Sequence, residues 1–306
     1  MDAAERWNVV VIGGGIAGLS AAIWGRRLGL STLVLEQAAE AGGQLRRIVQ
    51  PIIDYPGLDG TTGADLSQRL RQQAEAAGAA FRPSCPVTGI EVSARLCRTA
   101  GGTMAGDALV LASGISPGRL GVPGEAEVPL HRPSEEPDWF RGKRVAVVGG
   151  GDRAAENALL LAAVAREVHL IHRGLRLRAR PSFQEEILAA DHVRLHLQSE
   201  VTALRTDGPA PVLVDLRRDG ALETLPVDAC CIYVGNRPNT ELVAGQVALS
   251  PEGYVITGRN GRSSAPGFYA VGDVCTAPAY QSLATAAGQA MVVAKQIALS
   301  LGEKSD

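Results

Sequence analysis

The stretch NVVVIGGGIAGLSAAIWGRRLGLSTLVLE, Asn8 to Glu36, decides how the chain is read. An apolar run ends in a glycine turn, an alanine-rich segment follows, Gly29 breaks it, and a second apolar run closes on an acid. That order is a complete βαβ core. In such a core Gly13 permits the tight turn, Gly15 lets the backbone approach a pyrophosphate at the helix N-terminus, and Gly18 allows the helix to pack closely on the strand. Glu36 stands where a carboxylate accepts hydrogen bonds from a ribose. A G-x-G-x-x-G alone carries little information; strand, loop, helix, strand and acid in this order identify a dinucleotide cradle.

The plan is written twice. RVAVVGGGDRAAENALLLAAVAREVHLIHR, Arg144 to Arg173, places Gly149, Gly151 and Ala154 at the same motif positions. From Gly13 to Glu36 is 23 positions, and from Gly149 to His172 is again 23. A histidine thus replaces the acid, and Arg173, Arg176, Arg178 and Arg180 follow it. A carboxylate at this point favours a free 2′-hydroxyl, whereas His172, Arg173 and Arg178 would complement a 2′-phosphate. An arginine cluster also reads as a solvated face, and that reading stands for Arg176 and Arg180. Cradles of opposite ribose preference imply two different dinucleotides, the usual pairing being FAD held permanently and NADPH visiting.

Length and composition are compatible with this. A chain of 306 residues suggests two domains at about 150 residues each. Apolar residues at 46% and charged residues at 20% are ordinary for a soluble globular protein. A net charge of -2 gives no electrostatic case for nucleic acid or an anionic membrane as partner. No apolar run approaches the roughly 20 residues of a membrane span, and the start, MDAAERW, lacks a secretory n-region and h-region. The expectation is a cytoplasmic protein. Five cysteines, Cys85, Cys97, Cys230, Cys231 and Cys275, form no C-x-x-C and show no metal-ligand spacing, so neither a disulfide framework nor a metal site is expected.

Further segments complete a pattern: AGGQL (Ala41 to Leu45), DYPGLDGTTGADL (Asp54 to Leu66), LASG (Leu111 to Gly114), GGGDRAAENAL, HRGLRLRA, GNRPNT and GFYAVGDVC (Gly267 to Cys275). In order and along nearly the whole chain these resemble the low-molecular-weight thioredoxin reductase family. The resemblance implies an α/β fold of two Rossmann-like, three-layer ββα, dinucleotide-binding domains. It places the FAD domain in residues 1–116 and 244–306 and inserts the NAD(P)H domain as 117–243. The breaker-rich stretches SGISPGRLGVPGE and NRPNT supply the seams. The segments PVTGIEVS and DALVLASG are expected as antiparallel strands packed beside the flavin sheet.

Carried over by position, Gly42, Gly43 and Gln44 contact the flavin nucleotide, and Gly272 with Asp273 holds its ribityl or pyrophosphate region. Asp273 also reads as a cap of the helix that follows. Asp54 stands where the family usually has Asn, and Gln281 falls near the flavin ring edge. Gly174 replaces a second Arg of the family, which weakens the preference for NADPH over NADH. The resemblance further implies a homodimer.

One departure bears on activity. Thioredoxin reductases carry a redox dithiol ahead of the second glycine loop, and here the segment reads LHRPSEEPDWFRGK, with Glu135 lying 14 positions before Gly149. Arg132, Pro133, Ser134 and Glu135 occupy the dithiol positions and Glu136 matches the adjoining acid. Disulfide exchange needs a sulfur nucleophile and a resolving partner, so the family route is closed at this place. Electrons from NADPH, passed through the flavin, would then go to an external acceptor, a small molecule or a small redox protein. His131, Glu135 and Glu136 are the candidates for proton transfer to that acceptor, and a solvated acidic loop is the alternative. Other readings are a ferredoxin or flavodoxin NADP reductase, a disulfide or thiol oxidoreductase using a cysteine such as Cys275, and a non-catalytic FAD-binding redox sensor.

Overall fold

The computed structural model describes residues 4–48, 51–58, 60–129, 131–133, 136–206 and 211–302. The chain opens on β1 (Glu5–Ile12), α1 (Ile16–Arg27) and β2 (Thr32–Leu35), then runs through α2 (Gly63–Ala76), β3 (Ala80–Arg82), β4 (Val87–Glu91), β5 (Leu96–Thr99) and β6 (Gly102–Leu111). The crossing strand β7 (Ile115–Pro117) leads into β8 (Arg144–Val148), α3 (Asp152–Ala162), β9 (Glu167–Ile171), α4 (Pro181–Ala189) and β10 (Val193–His196). Next come β11 (Ser199–Thr206), β12 (Val212–Arg218), β13 (Ala221–Val227) and β14 (Ala229–Ile232). The strand β15 (Asn236–Pro238) returns, and β16 (Phe268–Ala270) and α5 (Leu283–Gly302) follow. Two compact units result: Met1–Ser116 with Arg237–Asp306, and Pro117–Asn236.

The first unit is built on a sheet ordered β3-β2-β1-β6-β5-β4, with β16 also on β6. Its central strands are parallel and buried on both faces, which is why VVVI, LVL and ALVL are unbroken apolar runs rather than alternating ones. Packed against one face is a core that includes Leu19 and Ile23 of α1 with Ala290 and Val293 of α5. On the other face Val243, Val255, Phe268 and Val274 close over Val10, Ile12, Leu33 and Leu109. The segment PVTGIEVS does form an antiparallel strand, β4. DALVLASG, however, belongs to the central sheet itself: β6 runs parallel to β1 along its length, and only its first residues, Gly102 to Ala105, pair antiparallel with β5. Burial on both faces decides its place.

The second unit is layered as expected. A parallel sheet ordered β10-β9-β8-β14 is covered on one face by α3 and α4, through Ala155, Ala158, Leu161 and Ile187. The antiparallel sheet β11-β12-β13 covers the other through Leu204, Val214 and Leu216. Adjacent residues on a strand face opposite ways, so Cys231 packs in the helical layer and Cys230 between the sheets.

The return crossing is at Asn236 and Arg237, not after residue 243. Val243 is fully buried in the core of the first unit. Asn239 fastens this segment there: its Nδ2 donates to Ser113 O at 2.8 Å, its N–H to Gly114 O at 3.0 Å, and its Oδ1 accepts from Ser116 Oγ at 2.7 Å. The crossing strands β7 and β15 pair with each other.

One polar pair lies within the second unit. His169 on β9, 5% exposed, meets His196 of β10 with Nδ1 and Nε2 3.0 Å apart, and its own Nε2 is 3.5 Å from Glu167. Burial first, and the neighbouring cations Arg144, Arg194 and Arg218, hold both imidazoles below the ordinary histidine value of 6.5, against the opposing pull of Glu167 and Glu223. A histidine whose folded-state pKa is depressed contributes stability that is complete above 6.5 and is lost as pH falls toward the folded value, because the unfolded chain binds the proton first. The melting temperature, followed by circular dichroism, should therefore fall as pH drops below about 6.5. Replacing His169 and His196 together by Leu should make that acid limb shallower.

Candidate functional site

The first cradle forms at the end of β1. Gly13 takes a positive φ of 108°, and its carbonyl passes so close to Gly18 of α1 that a β-carbon at Gly18 would run into it. Gly15 precedes α1 as its N-cap with no side-chain cap, leaving the first-turn N–H groups to a ligand. A β-carbon at Gly15 would find only Gly42 O, at 3.9 Å, so the space above it is open. That openness is what a pyrophosphate requires, and the residues fit one.

Glu36, 6% exposed, is fixed under this loop: Oε2 accepts from Gly14 N at 2.6 Å and Oε1 from Ala38 N at 2.8 Å. Each carboxylate oxygen keeps a further lone pair for a ribose hydroxyl. Gly42 joins directly, its N–H donating to Gly14 O at 2.8 Å, and Gly43 lies against Gly15. Gln44 Nε2 donates to Asp273 Oδ2 at 2.9 Å across 229 positions of sequence, and Gln281 Nε2 donates to Thr276 O at 3.0 Å. The structure thus assembles Gly13, Gly15, Gly18, Glu36, Gly42, Gly43, Gln44, Gly272, Asp273 and Gln281 in one unit. Asp54 is exposed on the loop closed by the Ile52–Thr61 bridge.

Sequence reasoning missed two residues of this site. Gln289 of α5 accepts from Gly272 N at 2.8 Å, and Thr276 Oγ1 donates to Gly272 O at 2.8 Å. A signal was present in Gln289, a polar residue set among Ala286, Ala290 and Val293 on the buried stripe of an apolar helix.

The second cradle repeats the geometry at the end of β8, with φ 153° at Gly149 and Gly151 as the uncapped N-cap of α3. A β-carbon at Gly151 would meet nothing within 4 Å, and Ala154, at 1% exposure, packs under the loop beside Gly149. Asp152 opens the helix, and Arg180 engages it through Nε at 3.1 Å and Nη2 at 3.0 Å, which offsets its charge. Arg173, Arg176 and Arg178 are exposed, and Arg178 N donates to Gly150 O at 2.6 Å, tying the arginine loop to the glycine loop. His172 differs from the cation expected there. Its ring is 8% exposed and fills the space where a β-carbon of Gly150 or Gly174 would be. Burial, then Arg178 and Arg173, hold its pKa down, so it is a neutral support for the loop at pH 7. Gly174, in place of the family Arg, follows from that packing.

His131 and Glu136 are brought together, Nδ1 to Oε1 at 2.9 Å, and the imidazole stacks on Trp139 at 3.5 Å. The His131 hydrogen bond holds the Glu136 carboxyl below the ordinary carboxylate range, and Glu136 also accepts from Arg132 N at 3.2 Å. Ser134 and Glu135 lie outside the described residues. Burial pushes the thiols of Cys97 and Cys230 up to about 12, that of Cys231 higher still, and that of Cys275 up to about 11. All five cysteines are free. Among the described residues no His, Cys, Asp and Glu cluster could hold a metal ion, and no helix is long and apolar enough to cross a membrane.

Two glycine-loop cradles on α/β units define a protein that handles two nucleotides. The chain matches the family "Pyridine nucleotide-disulphide oxidoreductase" over residues 7–290 and belongs to it. It is similar to the thioredoxin reductase of Streptomyces coelicolor, with 34% identity over 92% of this chain and 89% of that protein. It is also similar to the NADPH-dependent thioredoxin reductase 3 of Arabidopsis thaliana, 34% identical over 94% of this chain but 57% of that one. Among solved structures, the thioredoxin reductase of Lactococcus lactis superposes with a TM-score of 0.86 at 28% identity, covering 97% of this chain and 99% of that one. The fold is thioredoxin reductase-like, and the family's cofactors are FAD and NADPH.

The glycines separate folding from binding. Gly15→Ala and Gly151→Ala meet open space and should leave the melting temperature unchanged, while weakening the nucleotide of their own cradle about tenfold or more through loss of close backbone approach. Gly18→Ala should lower stability as well, by about 1–3 kcal/mol, because the helix must move off the Gly13 carbonyl. Calorimetric melting beside nucleotide titration measures both.

Proposed function

We propose that the chain is an NADPH-dependent flavoprotein reductase that delivers electrons to an external acceptor. FAD is assigned to the unit Met1–Ser116 with Arg237–Asp306, and NADPH to Pro117–Asn236. The observation that carries this is the segment at His131 to Glu136, which has no sulfur where the family keeps its dithiol, together with buried thiols elsewhere whose raised pKa values make poor nucleophiles.

When bound, the two cofactors supply hydride transfer from the dihydronicotinamide C4 to flavin N5. The protein's part is binding and orientation. The amide groups at the start of α1 and α3 hold the pyrophosphates, Glu36 takes a ribose of FAD, and Gln44 with Asp273 orients the flavin half. Exposed Arg173 and Arg178 take the 2′-phosphate of NADPH, with Arg176 beside them, while neutral His172 supports their loop. His131 and Glu136, hydrogen-bonded and partly exposed, are the described candidates for moving a proton to the acceptor, with Glu135 beside them in sequence.

The acceptor is proposed as a small organic molecule or a small redox protein. A ferredoxin or flavodoxin is the second reading, favoured by the Gly272–Thr276 tract, Gly-Asp-Val-Cys-Thr, which resembles that of the ferredoxin NADP reductases. Work in the cytoplasm as a homodimer belongs to the same proposal. Anaerobic NADPH should bleach the yellow protein, and the reduced form should be reoxidised by a quinone, ferredoxin or flavodoxin but not by oxidised thioredoxin. Persistent flavin colour under NADPH supports a non-catalytic binder instead, and turnover with thioredoxin overturns the external-acceptor reading. Glu136→Gln should slow reoxidation without slowing bleaching; equal rates remove Glu136 from proton transfer.

A further inference from the structure

The turn that carries Gly272 and Asp273 is tied to α5 by a closed ring of hydrogen bonds. The Gly272 N–H donates to Gln289 Oε1 at 2.8 Å, Gln289 Nε2 donates to Thr276 Oγ1 at 3.0 Å, and the Thr276 hydroxyl donates to Gly272 O at 2.8 Å. Gly272 has a φ of 77°, and a β-carbon there would press on Ala17 of α1 at 2.9 Å, so the turn is held between the start of α1 and the side of α5. On its far side Gln44 reaches Asp273 Oδ2.

We propose that Gln289 is the positioning residue of the first cradle: acting through Gly272 and Thr276, it fixes the turn that presents Asp273 to FAD. The proposal rests on the assignment of FAD to this unit. A side chain with an acceptor and a donor side by side closes the ring: the Gly272 amide gives it a proton, and with the Thr276 hydroxyl donating over the shorter distance to Gly272 O, 2.8 Å against 3.3 Å to Gln289 Oε1, Thr276 Oγ1 receives one. Glutamate has the shape of glutamine but no proton to give, so it would draw the Thr276 hydroxyl proton away from Gly272 O and open the ring there. Leucine would leave the buried Gly272 amide without an acceptor and Thr276 Oγ1 without the donor it has from Gln289, at the cost of the unmade bonds. The left-handed turn at Gly272 would then relax, and Asp273 would move with it.

The test uses the full-length holoprotein. FAD release on dilution, read by recovery of free flavin fluorescence, and the flavin midpoint potential are measured for the parent, Gln289→Leu, Gln289→Glu, Thr276→Val and Thr276→Ser. Gln289→Leu and Thr276→Val should each weaken FAD binding about tenfold and shift the potential. Gln289→Glu should fall in between, and Thr276→Ser, which keeps the hydroxyl, should behave as the parent. A merely structural residue would lower the melting temperature and leave the potential of the retained flavin unmoved. Parent-like FAD retention in Gln289→Leu, or identical behaviour of Thr276→Val and Thr276→Ser, overturns the proposal alone. A parent chain that takes up no FAD overturns the FAD assignment and this inference with it.

Discussion

Everything in the first unit depends on one close approach, the Gly13 carbonyl against the Cα of Gly18. Because no β-carbon intervenes, α1 can start directly above the end of β1, and its unpaired N–H groups face the opening over Gly15. The second unit relaxes this constraint. Ala154 takes the place of Gly18, its methyl packs beside Gly149, and the turn there opens to a φ of 153° against 108° at Gly13. One motif is thus built at two tightnesses, with a methyl at Ala154 where the first loop has none at Gly18.

The residue after the second strand shows how an equivalent position in a duplicated plan takes a different role without moving. Glu36 and His172 both tuck beneath the middle glycine of their loops. Glu36 binds that glycine through its N–H, a charged acceptor meeting a donor. An imidazole has no anionic form with which to repeat this, and burial with two arginines keeps it uncharged. It fills the space instead, and the positive charge passes to Arg173 and Arg178, which are exposed. The positive charge of the loop is therefore displaced outward by one layer of side chains.

The sequence made much of this legible and some of it not. Strand-turn-helix patterning, the two glycine loops and the opposed faces of Cys230 and Cys231 follow from backbone periodicities that tertiary structure does not override. The partnership of Gln44 with Asp273 was reachable only as two separate glycine-flanked segments, since 229 positions separate them. Three features lay beyond periodicity. The antiparallel reading of DALVLASG failed because a run of apolar residues is equally a central parallel strand, and burial on both faces settled it. The return seam was set too late because NRPNT reads as a linker, whereas Asn239 is bound by hydrogen bonds on several of its atoms. His172 read as a cation because charge is assigned from residue type, and depressed basicity is a property of packing.

The same seam explains how a unit made from both ends of the chain can close. Gln44 must find Asp273, and α1 must find α5, across the whole of the inserted segment Pro117–Asn236. Held open as a flexible coil, an insertion of this length would oppose closure by several kcal/mol, growing as about (3/2)RT ln n. The insertion is not a coil. It has its own layered core, from Phe140 to Cys231 on one face of its sheet and Val128 to Cys230 on the other, and its ends pair as β7 and β15. Once that core forms, the first unit sees a tight connection between Ser116 and Arg237 rather than a long loop. The bonds from Asn239 to Ser113, Gly114 and Ser116 then complete that connection on the side of the first unit. The two ends of the sequence are joined by the close approach of Gly272 to Ala17 of α1 and by the Gln44–Asp273 bond, and the ring around Gln289 holds the C-terminal side of that join in place.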